Sequence, residues 1–140
     1  MKLSAIAIDA AAIEEGVWIP ATGEPDLPRL PGIRFRVRGP SSIAVTRAAI
    51  GIRASLGIVE GVALTDEQHE KLWTELLARA MLVDWSGLED DAGTALPFSA
   101  DLAAEKLADP NYRFFKSGAS VAAVMADTVA PSAEGTIAKN

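Results

Sequence analysis

Three carboxylates stand in a row between two glycines, in the middle of a segment that also carries large apolar side chains. The acids occupy residues 89–91, after Gly87 and before Gly93. Three adjacent acids cannot join a hydrophobic core, and glycine permits the backbone conformations of tight turns. Residues 89–93 are therefore predicted to form an exposed turn.

Large apolar side chains stand on both sides of this turn, and we expect them to fix it to the body of the protein. Aromatic side chains bury a large area, so Trp85 and Phe98 are interpreted as structural anchors. Because helical patterns lie before and after this segment, the turn is expected to join two helical halves. The flanking apolar residues are Trp85, Leu88, Leu96 and Phe98.

Hydrophobic periodicity and capping residues predict about four helices after residue 40. The strongest signal is the capping box Thr65–Gln68, followed by an apolar stripe, which predicts a helix that runs into Val83. The other three helices are predicted from Ser41 or Ser42 to about Leu56, from Ser99 to Leu107, and from Asn111 to about Val129.

Two short β-prone segments precede these helices. Residues 33–38 alternate apolar side chains with arginines, which is the pattern of a half-buried strand, and residues 17–19 end at Pro20. Their pairing would form an antiparallel hairpin, whose apolar face must lie on the helices or join another subunit's sheet. The fold class predicted is α+β and mainly helical, with an N-terminal antiparallel β-hairpin followed by about four helices.

Length and composition indicate one domain. Of the 140 residues, 49% are apolar, which is enough to bury a core. Residues 1–130 are predicted to form this domain, with the hairpin region at 1–39 and the helical body at 40–130. The small, polar residues 131–140 are predicted to form a flexible tail. Alanine supplies much of the apolar content, and its small side chain makes thin contacts between helices. Self-association is therefore expected to help stabilise the core.

The sequence is typical of a soluble intracellular protein. It contains no cysteine, which excludes disulfides and thiol chemistry and fits a reducing compartment. Residues 1–12 lack the pattern of a signal peptide. The longest apolar-looking region, residues 43–64, is interrupted by Arg47, Arg53 and Glu60, so we expect no membrane span.

Charge is distributed unevenly along the chain, although the net charge is only -6. Six arginines and no acid lie between Arg29 and Val59, whereas twelve acids and three lysines or arginines lie from Glu60 to Asp109. The two segments could neutralise each other within one molecule, or the basic face of one copy could meet the acidic face of the next. Nucleic-acid binding is disfavoured, because the overall balance is acidic and no aromatic platform accompanies the arginines beyond Phe35.

No residue pattern supports catalysis, a metal or another cofactor. His69 is the only histidine, and residue 73 is tryptophan, so the two-histidine zinc-protease pattern is absent. The acids at 84 and 89–91 do not match the ligand spacing of a calcium loop. Serine has no histidine partner in a recognisable motif, and no phosphate-binding glycine loop follows a strand. The chain is therefore expected not to be an enzyme.

Two blocks of sequence carry a family resemblance. The first joins Glu-Glu-Gly-Val-Trp-Ile at 14–19 to residues 33–38. The second contains Val-Asp-Trp-Ser-Gly-Leu at 83–88, the acidic turn, Leu-Pro-Phe-Ser at 96–99 and Leu-Ala-Asp-Pro at 107–110. In this order, with a helical segment between them, the blocks resemble small tail assembly chaperones of long-tailed phages and related gene-transfer particles.

The resemblance implies a role in assembly. Members of that family bind the long, helix-rich tape-measure protein in the host cytoplasm, keep it soluble, help to recruit tail-tube protein, and are absent from the mature virion. It therefore implies a homo-oligomer with the tape-measure and tail-tube proteins as partners. Arg34, Phe35, Arg36 and Arg38 are our hypothesis for the partner or subunit contact. The alternatives are a structural virion component, such as a tail-terminator or head-tail connector protein, and a small enzyme or ligand-binding domain with an enclosed, polar-lined cavity.

Overall fold

The computed structural model describes residues 1–129, and the tail predicted for residues 131–140 lies outside them. Within the described part, five α-helices accompany a three-stranded antiparallel sheet, so the predicted α+β, mainly helical class is confirmed. The helices are α1 (Ala10–Glu15), α2 (Ile43–Ser55), α3 (Asp66–Leu76), α4 (Ala100–Ala108) and α5 (Arg113–Thr128), and the strands are β1 (Val17–Ile19), β2 (Arg34–Val37) and β3 (Leu82–Ser86).

The predicted N-terminal hairpin is present. β1 and β2 pair antiparallel, with Ile19 opposite Phe35 and Val17 opposite Val37. The apolar face of β2 packs against α5, where the rings of Phe35 and Phe115 meet edge to face at 5.5 Å between centroids. The sequence left two possibilities for this apolar face, namely packing on the helices or joining another subunit's sheet. In the structure, the helices cover it.

A third strand replaces the end of the predicted second helix, so the prediction that this helix runs into Val83 is wrong. α3 ends at Leu76, a π-helical turn spans Leu77–Met81, and β3 then pairs antiparallel with β2. The carbonyl of Met81 accepts a hydrogen bond of 2.7 Å from the backbone N–H of Arg38. The backbone N–H and C=O groups on the free edge of β2 form hydrogen bonds with β3. This tertiary pairing overrides the local helical pattern.

The acidic turn is exposed, as predicted. Its acids at 89–91 all lie at the surface. The Asp90 carboxylate accepts hydrogen bonds of 2.9 Å from the backbone N–H groups of Ala92 and Thr94, and the Leu96 N–H donates to the Leu88 carbonyl at 2.8 Å. The turn is therefore a small closed loop, and the carboxylate of its middle acid, Asp90, stabilises it by accepting backbone hydrogen bonds.

Three of the four predicted helix caps are confirmed, and the fourth is wrong. Asn111 was expected to cap the last helix, but the Asp109 carboxylate instead accepts from the Asn111 N–H at 2.9 Å. A 3-10 turn, Pro110–Tyr112, follows, and α5 begins at Arg113. Proline has no N–H, so it suits the first position of that turn. The confirmed caps are Ser42, Thr65 and Ser99.

A glutamate from α1 also caps the start of α2. The Glu14 carboxylate accepts hydrogen bonds from the Ile43 N–H at 2.6 Å, the Ala44 N–H at 3.3 Å and the Ser42 hydroxyl at 2.8 Å. The bond from the Ile43 N–H is the main cause that lowers the pKa of Glu14 below its ordinary value. This contact joins the hairpin region to the helical body.

We expect Glu14→Gln to lower the free energy of unfolding by about 1 kcal/mol at neutral pH, because an uncharged amide caps a helix N-terminus less well. A carboxyl whose pKa is depressed by folding stabilises the fold above its unfolded pKa and loses that effect as the pH falls through its folded pKa. The difference between wild type and variant should therefore shrink in acid. Urea denaturation at several pH values measures it, with Glu15→Gln as the control, and a difference independent of pH would contradict this role.

A second expectation concerns Gly87, which follows β3 with a φ of +87°. A methyl group added there would overlap the carbonyl oxygen of Gly32, whereas Gly93 has a similar φ of +84° and open space around it. Gly93→Ala should cost about 1 kcal/mol through backbone strain alone, and Gly87→Ala a further 1–3 kcal/mol or so through overpacking. Denaturation midpoints compare the two, and equal losses would argue against a close approach at Gly87.

Candidate functional site

The three arginines of the hairpin bind backbone carbonyls of other segments. These bonds tie the N-terminal segments and the π-helical turn to β2, so each guanidinium already has a structural partner. Their predicted role in subunit contact stays a prediction. The bonds run from Arg34 Nε to Pro20 O (3.0 Å), from Arg36 Nε to Gly16 O (3.4 Å), and from Arg38 Nη1 to Ala80 O (3.1 Å).

Phe35 does not lie on the surface with them. Its side chain is 0% exposed, and it packs in the core against Phe115. Successive side chains of a strand point to opposite faces of the sheet, so Phe35 lies on the face opposite the arginines. α5 covers that face. The hypothesis that Phe35 contacts another subunit is therefore corrected, because its side chain cannot be reached from outside the folded protomer.

Trp85 and Phe98 lie together at the base of the acidic turn. Their rings meet edge to face with centroids 4.9 Å apart, and Trp85 also contacts Phe115 at 6.0 Å. The indole N–H of Trp85 donates to the Leu96 carbonyl at 3.0 Å, which satisfies the polar atom of a buried side chain. The two aromatic side chains thus connect the far end of the turn to the core.

The basic and acidic segments do not neutralise each other within the described residues. No ion pair there joins an arginine from 29–53 to an acid from 60–109. Arg29 stacks on the Phe114 ring at 4.3 Å, and Arg47 and Arg53 point from α2 into solvent. Within residues 1–129, the charge separation seen in the sequence therefore persists in the folded protomer.

The outer face of α5 exposes several apolar side chains. The inner face of this helix consists mainly of small side chains, and buried alanines at 119, 122, 123 and 126 lie beside Gly118. A methyl group on Gly118 would overlap the end of the Leu30 side chain, so the helix sits close to the structure beneath it. Consequently, the larger apolar side chains of α5 mostly point away from the core.

Between residues 114 and 125, every exposed position of α5 is uncharged. Phe114, Val121 and Val124 expose 44%, 45% and 53% of their surface. Because α5 is apolar on its outer side as well as its inner side, it has the character of a helix that is covered on all sides. We call this set the α5 stripe; it consists of Phe114, Ser117, Val121, Val124 and Met125.

Hydrophobic periodicity does not separate the two faces of this helix, since Phe114, Phe115 and Met125 are all apolar. A signal was present, because apolar residues at 114, 121, 124 and 125 recur with helical spacing on the side opposite the alanines. Periodicity alone gives no indication of which of two apolar faces meets the core. Here the face with Phe115, Gly118 and the alanines meets the core, and α5 lies close to β2 and Leu30.

Chemical groups do not converge anywhere in residues 1–129. No group of three or more histidines or acids there could hold a metal ion. His69 lies with Asp66 and Glu70 along an open, shallow groove on α3. Lys116 forms an ion pair with Glu70, and desolvation lowers the pKa of Lys116. None of the helices in the described part of the chain is long and apolar enough to cross a bilayer.

Comparison with known proteins points to a phage. No curated protein and no solved structure matches the chain. The family model described as "YdaY prophage protein" matches residues 44–140, which is well over half of the chain and extends from α2 to its end. The match supports a phage origin and does not specify a role in tail assembly. From this match, the chain belongs to the YdaY prophage protein family.

Proposed function

We propose that this protein is a non-enzymatic phage tail assembly chaperone, which binds an apolar helical segment of the tape-measure protein through the α5 stripe. The observation that carries the proposal is the uncharged outer face of α5, which a soluble protomer leaves in water. Membership of a prophage family and the resemblance of residues 83–110 to tail assembly chaperones support it.

The α5 stripe has the shape and chemistry of a helix-binding surface. Its exposed apolar side chains follow helical spacing along a helix of 16 residues, so a second helix can lie along it and bury an apolar face of its own. Arg29 and Arg113 stack on the Phe114 ring at 4.3 and 5.3 Å, which places positive charge at one end of the stripe. An amphipathic partner helix with an acid near that end would fit best.

The remaining parts of the proposal follow from the same role. A tape-measure protein is long, so many copies of a small chain would cover it in the host cytoplasm, and they would leave when tail-tube protein assembles around it. This is why we propose a homo-oligomer with tape-measure and tail-tube partners and without nucleic acid, membrane or cofactor. A permanent virion component could use the same stripe as a fixed interface, and this is the alternative.

We expect Val121→Lys/Val124→Lys to reduce binding of a tape-measure fragment from the same prophage at least tenfold, because two charges would be buried against an apolar helix. Both positions are exposed, so the melting temperature should change little. The matched control is Val59→Lys/Val62→Lys, which places the same charges on two exposed valines elsewhere. Isothermal titration calorimetry compares the variants, and equal binding by both would contradict the role of the α5 stripe.

A chaperone and a structural virion component differ in whether the protein is present in the mature particle. A chaperone should be detected with the tape-measure protein in lysates during assembly and should be missing from purified particles. Quantitative mass spectrometry of both samples distinguishes the two. Stoichiometric amounts in the finished particle would favour a tail-terminator or head-tail connector protein and would exclude the chaperone assignment.

A further inference from the structure

An exposed apolar side chain flanked by two arginines projects from α2. Ile50 is 70% exposed, and Arg47 and Arg53 lie three residues before and after it, on the same side of the helix. Neither arginine forms an ion pair, a side-chain hydrogen bond or a ring contact within residues 1–129. Gly51 next to Ile50 has open space around it, so another surface can approach closely. We call these residues, Arg47, Ile50 and Arg53, the α2 knob.

A groove of complementary chemistry lies elsewhere on the protomer, between the acidic turn and α4. Its volume is about 400 Å³. Apolar side chains form its floor, with Leu88, Leu96 and Leu102 beside the rings of Trp85 and Phe115. The acids at 89–91 form one rim. We call this cavity the acidic groove.

Two of the rim acids are available to a partner. The Asp90 carboxylate is bound to backbone N–H groups of its own turn, but those of Glu89 and Asp91 make no ion pair or side-chain hydrogen bond within residues 1–129. The cation in the groove is Lys106, whose ammonium lies over the Tyr112 ring at 4.4 Å and 3.9 Å from Glu105. Its charge is thus directed toward Tyr112 and Glu105.

We propose that the α2 knob of one copy binds the acidic groove of the next copy. Ile50 would enter the apolar floor, and the guanidinium groups of Arg47 and Arg53 would reach the Glu89 and Asp91 carboxylates. Arginine suits this position, because its aliphatic stem packs on apolar walls while its head binds carboxylates. The unpaired charges of each surface match those of the other, and this complementarity identifies a second copy of the chain as the occupant.

The contact is heterologous, because the knob and the groove are different surfaces of the same chain. Each copy therefore keeps one free knob or groove after binding, and the copies add head to tail into a chain or close into a ring. This arrangement extends the proposed function by giving neighbouring copies a defined contact. It does not depend on tape-measure binding, since the α5 stripe takes no part in it.

Two charge-reversal variants test the contact. Arg47→Glu/Arg53→Glu removes the knob, and Glu89→Lys/Asp91→Lys removes the rim of the groove; Asp90 is left in place because it holds the turn. We expect each variant to weaken self-association at least tenfold, measured by sedimentation velocity at low ionic strength. Glu24→Lys/Asp26→Lys carries the same charge change as the groove variant on an exposed loop, and it should associate at least as well as wild type.

Mixing the two variants gives the decisive result. The knob variant keeps its groove and the groove variant keeps its knob, so an equimolar mixture should form a dimer that grows no further. A monomeric wild type at high concentration and low salt would overturn the proposal, and so would a mixture that stays monomeric or a variant that associates like wild type. Val121→Lys/Val124→Lys should retain self-association, which separates failure of this contact from failure of tape-measure binding.

Discussion

The packing of α5 on the central strand β2 is the contact on which the rest of the structure depends. The fully buried side chain of Phe35 meets Phe115 there, and a methyl group on Gly118 would have to displace the end of the Leu30 side chain. Interiors are close-packed, so a helix with small side chains can lie near the sheet, whereas one with large side chains cannot. This contact determines which face of α5 is buried and therefore leaves the α5 stripe in solvent.

The second constraint is that, within residues 1–129, no ion pair joins the arginines of segment 29–53 to the acids of segment 60–109. The hairpin arginines bind backbone carbonyls, and those of α2 have no ion-pair partner in the described part of the chain. The acids of the turn stand on a closed loop whose aromatic base is buried. Unpaired charges of opposite sign on different surfaces of one protomer favour contact between copies, because such a contact brings them together.

Local signals predicted most of the helices and the hairpin, and they failed where the chain meets a distant segment. Thr65 and Gln68 form the expected capping box because a cap is decided within one turn of helix. The switch to β3 was missed because residues 77–83 continue a helical pattern, and the edge of β2 that pairs with Leu82–Ser86 lies more than forty residues earlier. The assignment of Asn111 as a cap failed because the Asp109 carboxylate caps a 3-10 turn over Pro110–Tyr112, and α5 begins only at Arg113.

The sequence by itself determined that residues 89–93 must be exposed, that most arginines and most acids occupy separate segments, and that alanine supplies much of the apolar content. Those properties follow from side-chain chemistry and hold for any fold of this chain. Only the tertiary structure decided that Phe35 is buried, that β2 gains a third strand, and which side of α5 faces water. Each of these depends on contacts between segments far apart in sequence. The spacing of residues within one segment does not indicate which distant segment will cover it.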